Sequence, residues 1–124
     1  SYPKDLENPV ERHRVPLIFT GGVTADEAPR RINTLSSQVD IAATLFHQLG
    51  INHDEFIFSK NILNTSTPHY AFFVDQSQFG LVTDSGTVVY NCNAEAIVYS
   101  SGDTTCLDYG KAYLQKLYDD LDQR

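Results

Sequence analysis

The side chains best suited to chemistry lie close together near the start of the chain, at Arg12, His13 and Arg14. Their nitrogen atoms could donate hydrogen bonds to an anionic group. An apolar run follows at once, and chain that enters a sheet in an α/β core often passes the ligand cleft. The alternative is a basic edge that pairs with nearby carboxylates, for which the candidates are Asp5, Glu7 and Glu11.

Other titratable positions have a simpler explanation than catalysis. Asp40 could be read as a catalytic carboxylate, but it stands three residues after Ser37 in an S-x-x-D variant of the capping box, and we favour the capping role. His47 falls late in the same predicted helix, where an imidazolium interacts favourably with the helix dipole. His53 and Asp54 would supply only two metal ligands from one loop, so we expect a solvated loop and no metal site.

The two cysteines, Cys92 and Cys106, support neither a zinc site nor an activated thiolate. No histidine lies between them, and neither has a basic neighbour close by in sequence. The residues alone leave a disulfide and two reduced thiols as open alternatives. The sequence also lacks the nucleophile elbow, the P-loop, the dinucleotide fingerprint and the H-E-x-x-H and C-x-x-C motifs. We therefore assign no catalytic residue to this sequence.

Length and composition limit the class of protein. The chain has 124 residues, of which 41% are hydrophobic and 20% charged, and its formal net charge is -7. This balance is typical of one globular domain and excludes collagen, coiled coils and disordered chains. No run approaches the roughly 18 apolar residues that a membrane span needs. The acidic balance argues against a nucleic-acid surface.

Hydrophobic periodicity predicts the elements that would position these residues. Residues 15–20 are a short apolar run that predicts a buried strand, and the Ser37 signature starts a helix that ends at Gly50. After residue 70 the pattern changes to short strands joined by short turns, which indicates an antiparallel meander. The four predicted strands are residues 70–74, 79–83, 87–90 and 95–99.

A last helix follows the meander, with Thr105 as its predicted N-cap and Asp108 at N3. Gly110 weakens this helix by roughly 1 kcal/mol relative to alanine. We expect the helix to cover one face of the sheet, and its expected contacts are Leu114, Leu117 and Leu121 against Phe72, Leu81, Val88 or Ile97. The predicted fold class is α+β: a four-stranded antiparallel sheet covered by a C-terminal helix and preceded by a strand–loop–helix segment.

Three segments resemble sulfatase-like enzymes of the alkaline phosphatase superfamily. Residues 11–22, ERHRVPLIFTGG, resemble the R-(I/V)-P-L-(I/L)-(F/I)-x-G strand of that family, and residues 37–50 resemble its S-x-x-D-I-x-P-T-L-x-x-L-x-G helix. Ala43 stands where the family often has proline. Residues 54–63 are similar to the G-x-S-L-L segment of the membrane-anchored branch, which includes lipoteichoic-acid-synthase-like phosphoglycerol transferases. The meander and last helix are similar to the small C-terminal subdomain of that branch.

The resemblance implies a fragment. Residues 1–64 would be the C-terminal end of the α/β catalytic domain, and residues 65–124 the small sheet-and-helix subdomain. The family's nucleophile and its D-H-G metal motif lie far upstream, and no D-H-G run occurs in this sequence. The parent enzyme would use a divalent metal (Mn, Mg, Ca or Zn) to hydrolyse or transfer sulfate or phosphate esters. The fragment alone is expected to be inactive, with His13 and Arg14 as its only candidate substrate-binding residues.

The resemblance also bears on location and partners. It implies the extracytoplasmic or periplasmic part of a membrane-anchored bacterial protein, which favours a disulfide between Cys92 and Cys106. The implied partners are the rest of the catalytic domain and an anionic ester substrate, with no nucleic acid and no membrane contact by this fragment. The alternative is a stand-alone, non-enzymatic α+β module that binds a ligand or a protein through its aromatic-rich sheet, because seven Tyr and seven Phe are present.

Overall fold

The computed structural model describes residues 8–22 and 29–124, which belong to two compact units. The first unit combines residues 8–14 with residues 70–124, and the second contains the described residues between 15 and 69. A division after residue 64, which the resemblance implies for the parent protein, stays a prediction. In this chain the compact units change after residues 14 and 69.

The first unit is built on a four-stranded antiparallel sheet in the order β1-β2-β3-β4. The strands are β1 (Tyr70–Asp75), β2 (Gln78–Thr83), β3 (Gly86–Asn91) and β4 (Ala96–Gly102). Short turns join each strand to the next, so strands that are neighbours in sequence are also neighbours in the sheet. The predicted antiparallel meander and the α+β class are confirmed.

Helix α2 (Cys106–Asp122) packs across β2 and β3. Leu81, Val88 and Cys106 form the buried cluster between the helix and the sheet, and Phe72 packs against it. The helix therefore covers the predicted face of the sheet, but its residues in this cluster are Cys106 and Leu107 and not the predicted leucines. Neither α2 nor the other helix in the described part of the chain is long and apolar enough to cross a membrane.

Gly110 has a low helix propensity, but it has a packing role in α2. The residue is buried, and the ring of Phe79 lies where a side chain would be: a Cβ added at Gly110 would be 2.5 Å from Cε2 of Phe79. Phe79 is itself fully buried on β2. Glycine at this position thus allows the helix backbone to approach the sheet closely.

The C-terminal part of α2 differs from the prediction. Leu114 and Leu117 are half-buried, but Leu121 is 57% exposed, so the prediction that it is buried is wrong. Ile97 on β4 is also exposed. The helix has 17 residues, or about 25 Å. A six-residue strand is about 20 Å long, so a helix of this length has more residues than one strand can cover.

The start of α2 is capped from a position upstream of the predicted one. Thr105 precedes the helix, but its side chain makes no capping hydrogen bond. The Asp103 carboxylate instead accepts hydrogen bonds from the Thr105 backbone N–H at 2.9 Å and from the Thr105 hydroxyl at 2.8 Å. These two hydrogen bonds lower the pKa of Asp103 from its usual value. The N-cap prediction for the Thr105 side chain is therefore wrong.

Helix α1 (Asp40–Gln48), in the second unit, ends as predicted, but its N-cap position is occupied by Val39 and not by Ser37. The backbone N–H of Ser37 donates to Oδ2 of Asp40 at 2.7 Å, which is the acidic half of the capping box. Gly50 has φ of 67°, and the backbone N–H groups of Gly50 and Ile51 donate to helix carbonyls at 3.1 and 2.9 Å. This is a Schellman ending, and it requires the positive φ that glycine adopts most easily.

The strand predicted at residues 15–20 does not form. These residues belong to no strand, and Val15, Leu17 and Ile18 are 58%, 44% and 78% exposed. An isolated strand leaves its backbone hydrogen-bonding groups without partners, so an apolar run becomes a strand only where another strand lies beside it. Within residues 8–22 and 29–124, no segment pairs with this run.

Candidate functional site

His13 packs its ring against the sheet. It ends a short 3₁₀ turn, Glu11–His13. The imidazole stacks on Phe73 of β1, with the ring centroids 3.9 Å apart and 19° between the planes. Phe73 in turn occupies the space above Gly80 of β2, where any Cβ would overlap the ring. Gly80 therefore makes room for Phe73, and Phe73 offers a flat surface to His13.

One ring nitrogen of His13 is turned away from solvent. Nε2 is buried and has no hydrogen-bond partner in the described part of the chain. Oδ2 of Asp75 lies 4.0 Å from it, which is beyond hydrogen-bond distance. Because Nε2 faces inward, the ring can offer only Nδ1 to a ligand. These contacts indicate that His13 holds residues 8–14 against β1. They do not indicate that His13 lines an open cleft.

Arg14 lies in a different environment. Its Nη1 donates a hydrogen bond to Oε1 of Glu11 at 3.2 Å, and both Arg14 and Arg12 are exposed. An exposed pair of this kind contributes about 0–1 kcal/mol and can exchange partners with a solvent anion. This ion pair between Arg14 and Glu11 is one of the contacts expected if the basic residues pair with nearby carboxylates instead of binding a ligand. The other two carboxylates of that alternative, Asp5 and Glu7, lie outside the described residues.

The two predicted substrate-binding residues do not converge on one point in the structure. His13 contacts the sheet through Phe73, whereas Arg14 contacts Glu11 at the surface. Arg14 is thus the one of the pair that an anionic group in solvent can reach.

Asp40 and Lys60 form a buried ion pair in the second unit. The two residues are 1% and 9% exposed. Nζ of Lys60 donates to Oδ2 of Asp40, and the backbone N–H of Lys60 donates to Oδ1 at 3.0 Å. With the N–H of Ser37, three donors bind this carboxylate. Because the carboxylate is buried and its oxygens are occupied by donors of this chain, the geometry supports a structural role for Asp40.

Residues 59–62 are fastened to the first turns of α1 by further hydrogen bonds. Oγ of Ser59 accepts from the backbone N–H of Ala43 at 2.9 Å, and Oγ1 of Thr44 accepts from the backbone N–H of Ile62 at 3.0 Å. Proline at position 43 would remove the first of these donors. We call residues 59–62 together with Asp40, Ala43 and Thr44 the clasp.

Sequence reasoning missed Lys60. It is 20 positions from Asp40, and no helical or strand periodicity relates residues so far apart. The signal that could have found it is compositional. Lys60 is the only charged residue in the run FIFSKNIL, residues 56–63, and a lone lysine in such a run is rarely buried without a partner.

The two cysteines are free thiols, so the predicted disulfide is not formed. Cys92 is exposed in the turn after β3, whereas Cys106 is buried next to Val88. Val88 and Cys92 are four residues apart along β3 and its continuation, or about 13 Å, whereas bridged Cα atoms lie within about 7 Å of each other. Burial raises the pKa of the Cys106 thiol and makes it a poor nucleophile.

The other histidines do not form a metal centre with any side chain in residues 8–22 and 29–124. His47 and His53 lie edge to face, with ring centroids 6.0 Å apart. No group of three or more His, Cys, Asp or Glu side chains within the described ranges is arranged to hold a metal ion. The described residues therefore do not supply the donor set for the divalent metal that the resemblance implies.

Similarity to known proteins adds no assignment. No protein-family model, no curated protein and no solved structure matches this chain.

Proposed function

We propose that this chain is the C-terminal part of a sulfatase-like, metal-dependent enzyme that hydrolyses or transfers sulfate or phosphate esters. In this proposal the chain supplies scaffold and one wall of the cleft, while the nucleophile and the divalent metal belong to the rest of the parent protein. The order and spacing of the motifs in residues 11–22 and 37–50 support it. The parent would be membrane-anchored and extracytoplasmic.

The observation that carries the proposal is the apolar run at residues 15–20. Six consecutive residues, VPLIFT, precede two glycines, which is typical of a strand buried on both faces in a parallel sheet. In the structure this run is largely exposed and unpaired in the described part of the chain. A sheet supplied by the remainder of a catalytic domain would give it both a strand partner and a cover.

The second unit as a whole also exposes large apolar side chains while it buries polar ones. Its buried side chains include the polar residues of the clasp, while several large apolar side chains are exposed. Single exposed apolar residues are ordinary, but nine large ones in the described part of one unit favour a surface that another domain covers. The residues are Val15, Leu17, Ile18, Ile32, Val39, Leu49, Ile51, Phe56 and Ile57. In the proposal the catalytic domain covers this surface.

The geometry limits what this chain contributes to the reaction. Arg14 is exposed, and an anionic ester could replace Glu11 as the partner of its guanidinium. His13 remains stacked on Phe73. The bond-breaking groups therefore lie upstream in this proposal, and the chain's own role is to complete the fold and place one cation at the edge of the cleft.

The reading frame that contains this sequence tests the proposal. We expect a D-H-G motif and N-terminal membrane helices upstream of Ser1 in the same frame. An unrelated domain or a stop codon there would contradict the proposal. That result would favour the alternative, a stand-alone α+β binding module.

A biochemical test compares the long and the short protein. The protein expressed from the whole frame should release p-nitrophenol from an aryl sulfate or phosphate, or transfer phosphoglycerol, when Mn²⁺ is added. The 124-residue chain should release nothing above a buffer blank. Metal-dependent turnover by the short chain, lost when Arg14 is replaced by alanine, would show that the site lies within this chain after all.

A further inference from the structure

Strand β4 is an open edge of the sheet. It is last in the strand order, and every residue of Ala96–Gly102 is exposed except the half-buried Tyr99. Ile97 and Val98 are 42% and 52% exposed. Alternate residues of an edge strand turn their N–H and C=O groups outward, and no strand of the described chain pairs with them.

This edge carries few of the features that usually protect an edge strand. The sequence of β4, AIVYSSG, contains neither a charged residue nor a proline, both of which block strand addition. One irregularity is present: Val89 pairs with Tyr99 and Tyr90 with Ile97, so Val98 is bulged. From Tyr99 to Gly102 the register is regular.

Negative charges flank the strand at both ends. Glu95 directly precedes β4 and Asp103 directly follows it, and both are exposed. The Asp103 carboxylate is fixed by its hydrogen bonds with Thr105. An antiparallel strand laid along the whole of β4 would bring its two ends opposite these carboxylates.

A second copy of this chain is a poor occupant of the edge. If β4 paired with its own copy around Tyr99, Glu95 of each chain would face Asp103 of the other. Like charges would then repel at both ends of the new pair. The net charge of -7 adds a longer-range repulsion between copies. A strand that ends in lysine or arginine would meet attraction at the same two places.

We propose that β4 is the docking edge for an extended segment of another protein, one with an uncharged, β-branched centre and a basic residue at each end. The segment adds to the sheet as a fifth, antiparallel strand. Backbone hydrogen bonds to β4 hold it, and Glu95 and Asp103 select its ends. No residue of the ester chemistry proposed above takes part, so the two proposals stand or fall separately.

Two synthetic nonapeptides test this on the full 124-residue chain. One has the sequence K-T-V-T-V-T-V-T-K, and the other has glutamate in place of both lysines. Fluorescence anisotropy at low ionic strength should show the lysine peptide binding about tenfold more tightly, because two attractive end contacts replace two repulsive ones. The preference should shrink as salt is added, because exposed charges are screened.

Chain variants and peptide variants locate the contact. Glu95→Gln combined with Asp103→Asn should remove the preference for the lysine peptide. Asparagine at position 103 keeps an oxygen that can accept the hydrogen bond from Thr105, so α2 keeps its start. N-methylation of alternate peptide residues should abolish binding for one of the two alternating sets and leave the other unaffected, because only one edge of the peptide faces β4.

Amide hydrogen exchange gives the position directly. Residues of β4 that turn their N–H groups outward should gain protection when the lysine peptide is bound. Failure of that peptide to bind, equal binding of both peptides, or protection confined to other parts of the chain would overturn the proposal. A dimer that forms through β4 and excludes the peptide would also overturn it, since a second copy would then be the occupant.

Discussion

At the scale of single residues, the ion pair between Asp40 and Lys60 has the largest consequence for stability. Burying a lone charge costs several kcal/mol, and a buried pair recovers that cost only while both partners and their hydrogen bonds are present. Such a pair therefore adds little over two apolar residues of the same size. Loss of one partner, however, leaves the other charged and buried.

Replacing Lys60 by methionine should destabilise the second unit by about 3–5 kcal/mol, because the Asp40 carboxylate loses its counter-ion. Amide hydrogen exchange within Asp40–Gln48 measures this locally, and we expect the helix to exchange much faster in the variant. Lys116→Met on the exposed part of α2 is the matched control and should leave exchange in α1 unchanged. Equal exchange of α1 in both variants would mean that Lys60 does not support Asp40.

The two thiols should differ in reactivity without any prior reduction. Cys92 is exposed, whereas Cys106 is buried and the pKa of its thiol is raised, so less thiolate is present at a given pH. In the native protein at pH 8, an aromatic disulfide reagent should label Cys92 rapidly and Cys106 only as fast as the protein opens. Unreduced protein in denaturant should give two thiols. A count of zero there would restore the predicted disulfide.

At the scale of elements, the sequence is most informative where an element and its partners are adjacent in the chain. The strands β1 to β4 follow one another through short turns, so alternation and turn residues predicted them. The helix α1 carries its own start and stop signals at Ser37 and Gly50. The prediction of a strand at residues 15–20 was wrong because a strand also needs a partner strand. The periodicity of a sequence does not show where that partner is.

The candidate site was harder to predict for the same reason. The contacts of His13 with Phe73 and of Asp40 with Lys60 join positions far apart in sequence, and only the folded chain brings them together. At the start of α2, Asp103 and Thr105 are both good N-cap residues, so the residue types could not decide between them. In the structure it is the Asp103 carboxylate that accepts the hydrogen bond from the Thr105 backbone N–H.

Gly110 gives a prediction about how closely α2 approaches the sheet. Gly110→Ala should destabilise the protein by about 1–3 kcal/mol, because the new methyl group is forced against the buried Phe79 ring. This outweighs the gain of about 1 kcal/mol in helix propensity. The opposite exchange at an exposed position, Ala112→Gly, is the control and should cost about 1 kcal/mol through propensity alone. Thermal unfolding measures both, and a stabilised Gly110→Ala variant would contradict the close approach.

At the scale of the whole molecule, the chain combines a four-stranded sheet unit with a second unit whose apolar run has no strand partner in the described chain. The backbone amides of the two units should therefore exchange with solvent at different rates. The strands β2 and β3 have a neighbour on each side, whereas residues 15–20 have no pairing that the structure describes. Exchange of backbone amides is a direct measure of this difference.

In the isolated 124-residue chain, amides of residues 15–20 should exchange about as fast as those of an unstructured loop, while those of β2 and β3 stay protected. In a longer protein that includes the proposed catalytic domain, residues 15–20 should become as well protected as β2. Strong protection of these residues in the short chain would show that they already have a partner, and the proposed function would lose its main support.

The contact between His13 and Phe73 also has a consequence for the order of folding. The strands and α2 are continuous in residues 70–124, so they assemble through contacts that are short in sequence. Docking His13 must close a loop of about 60 residues, and the entropy lost in closing a loop grows with its length. We therefore expect residues 8–14 to dock after the sheet has formed and to detach first when the protein unfolds. The ring of Phe73 would then change its environment at a lower denaturant concentration than the backbone of the strand that carries it.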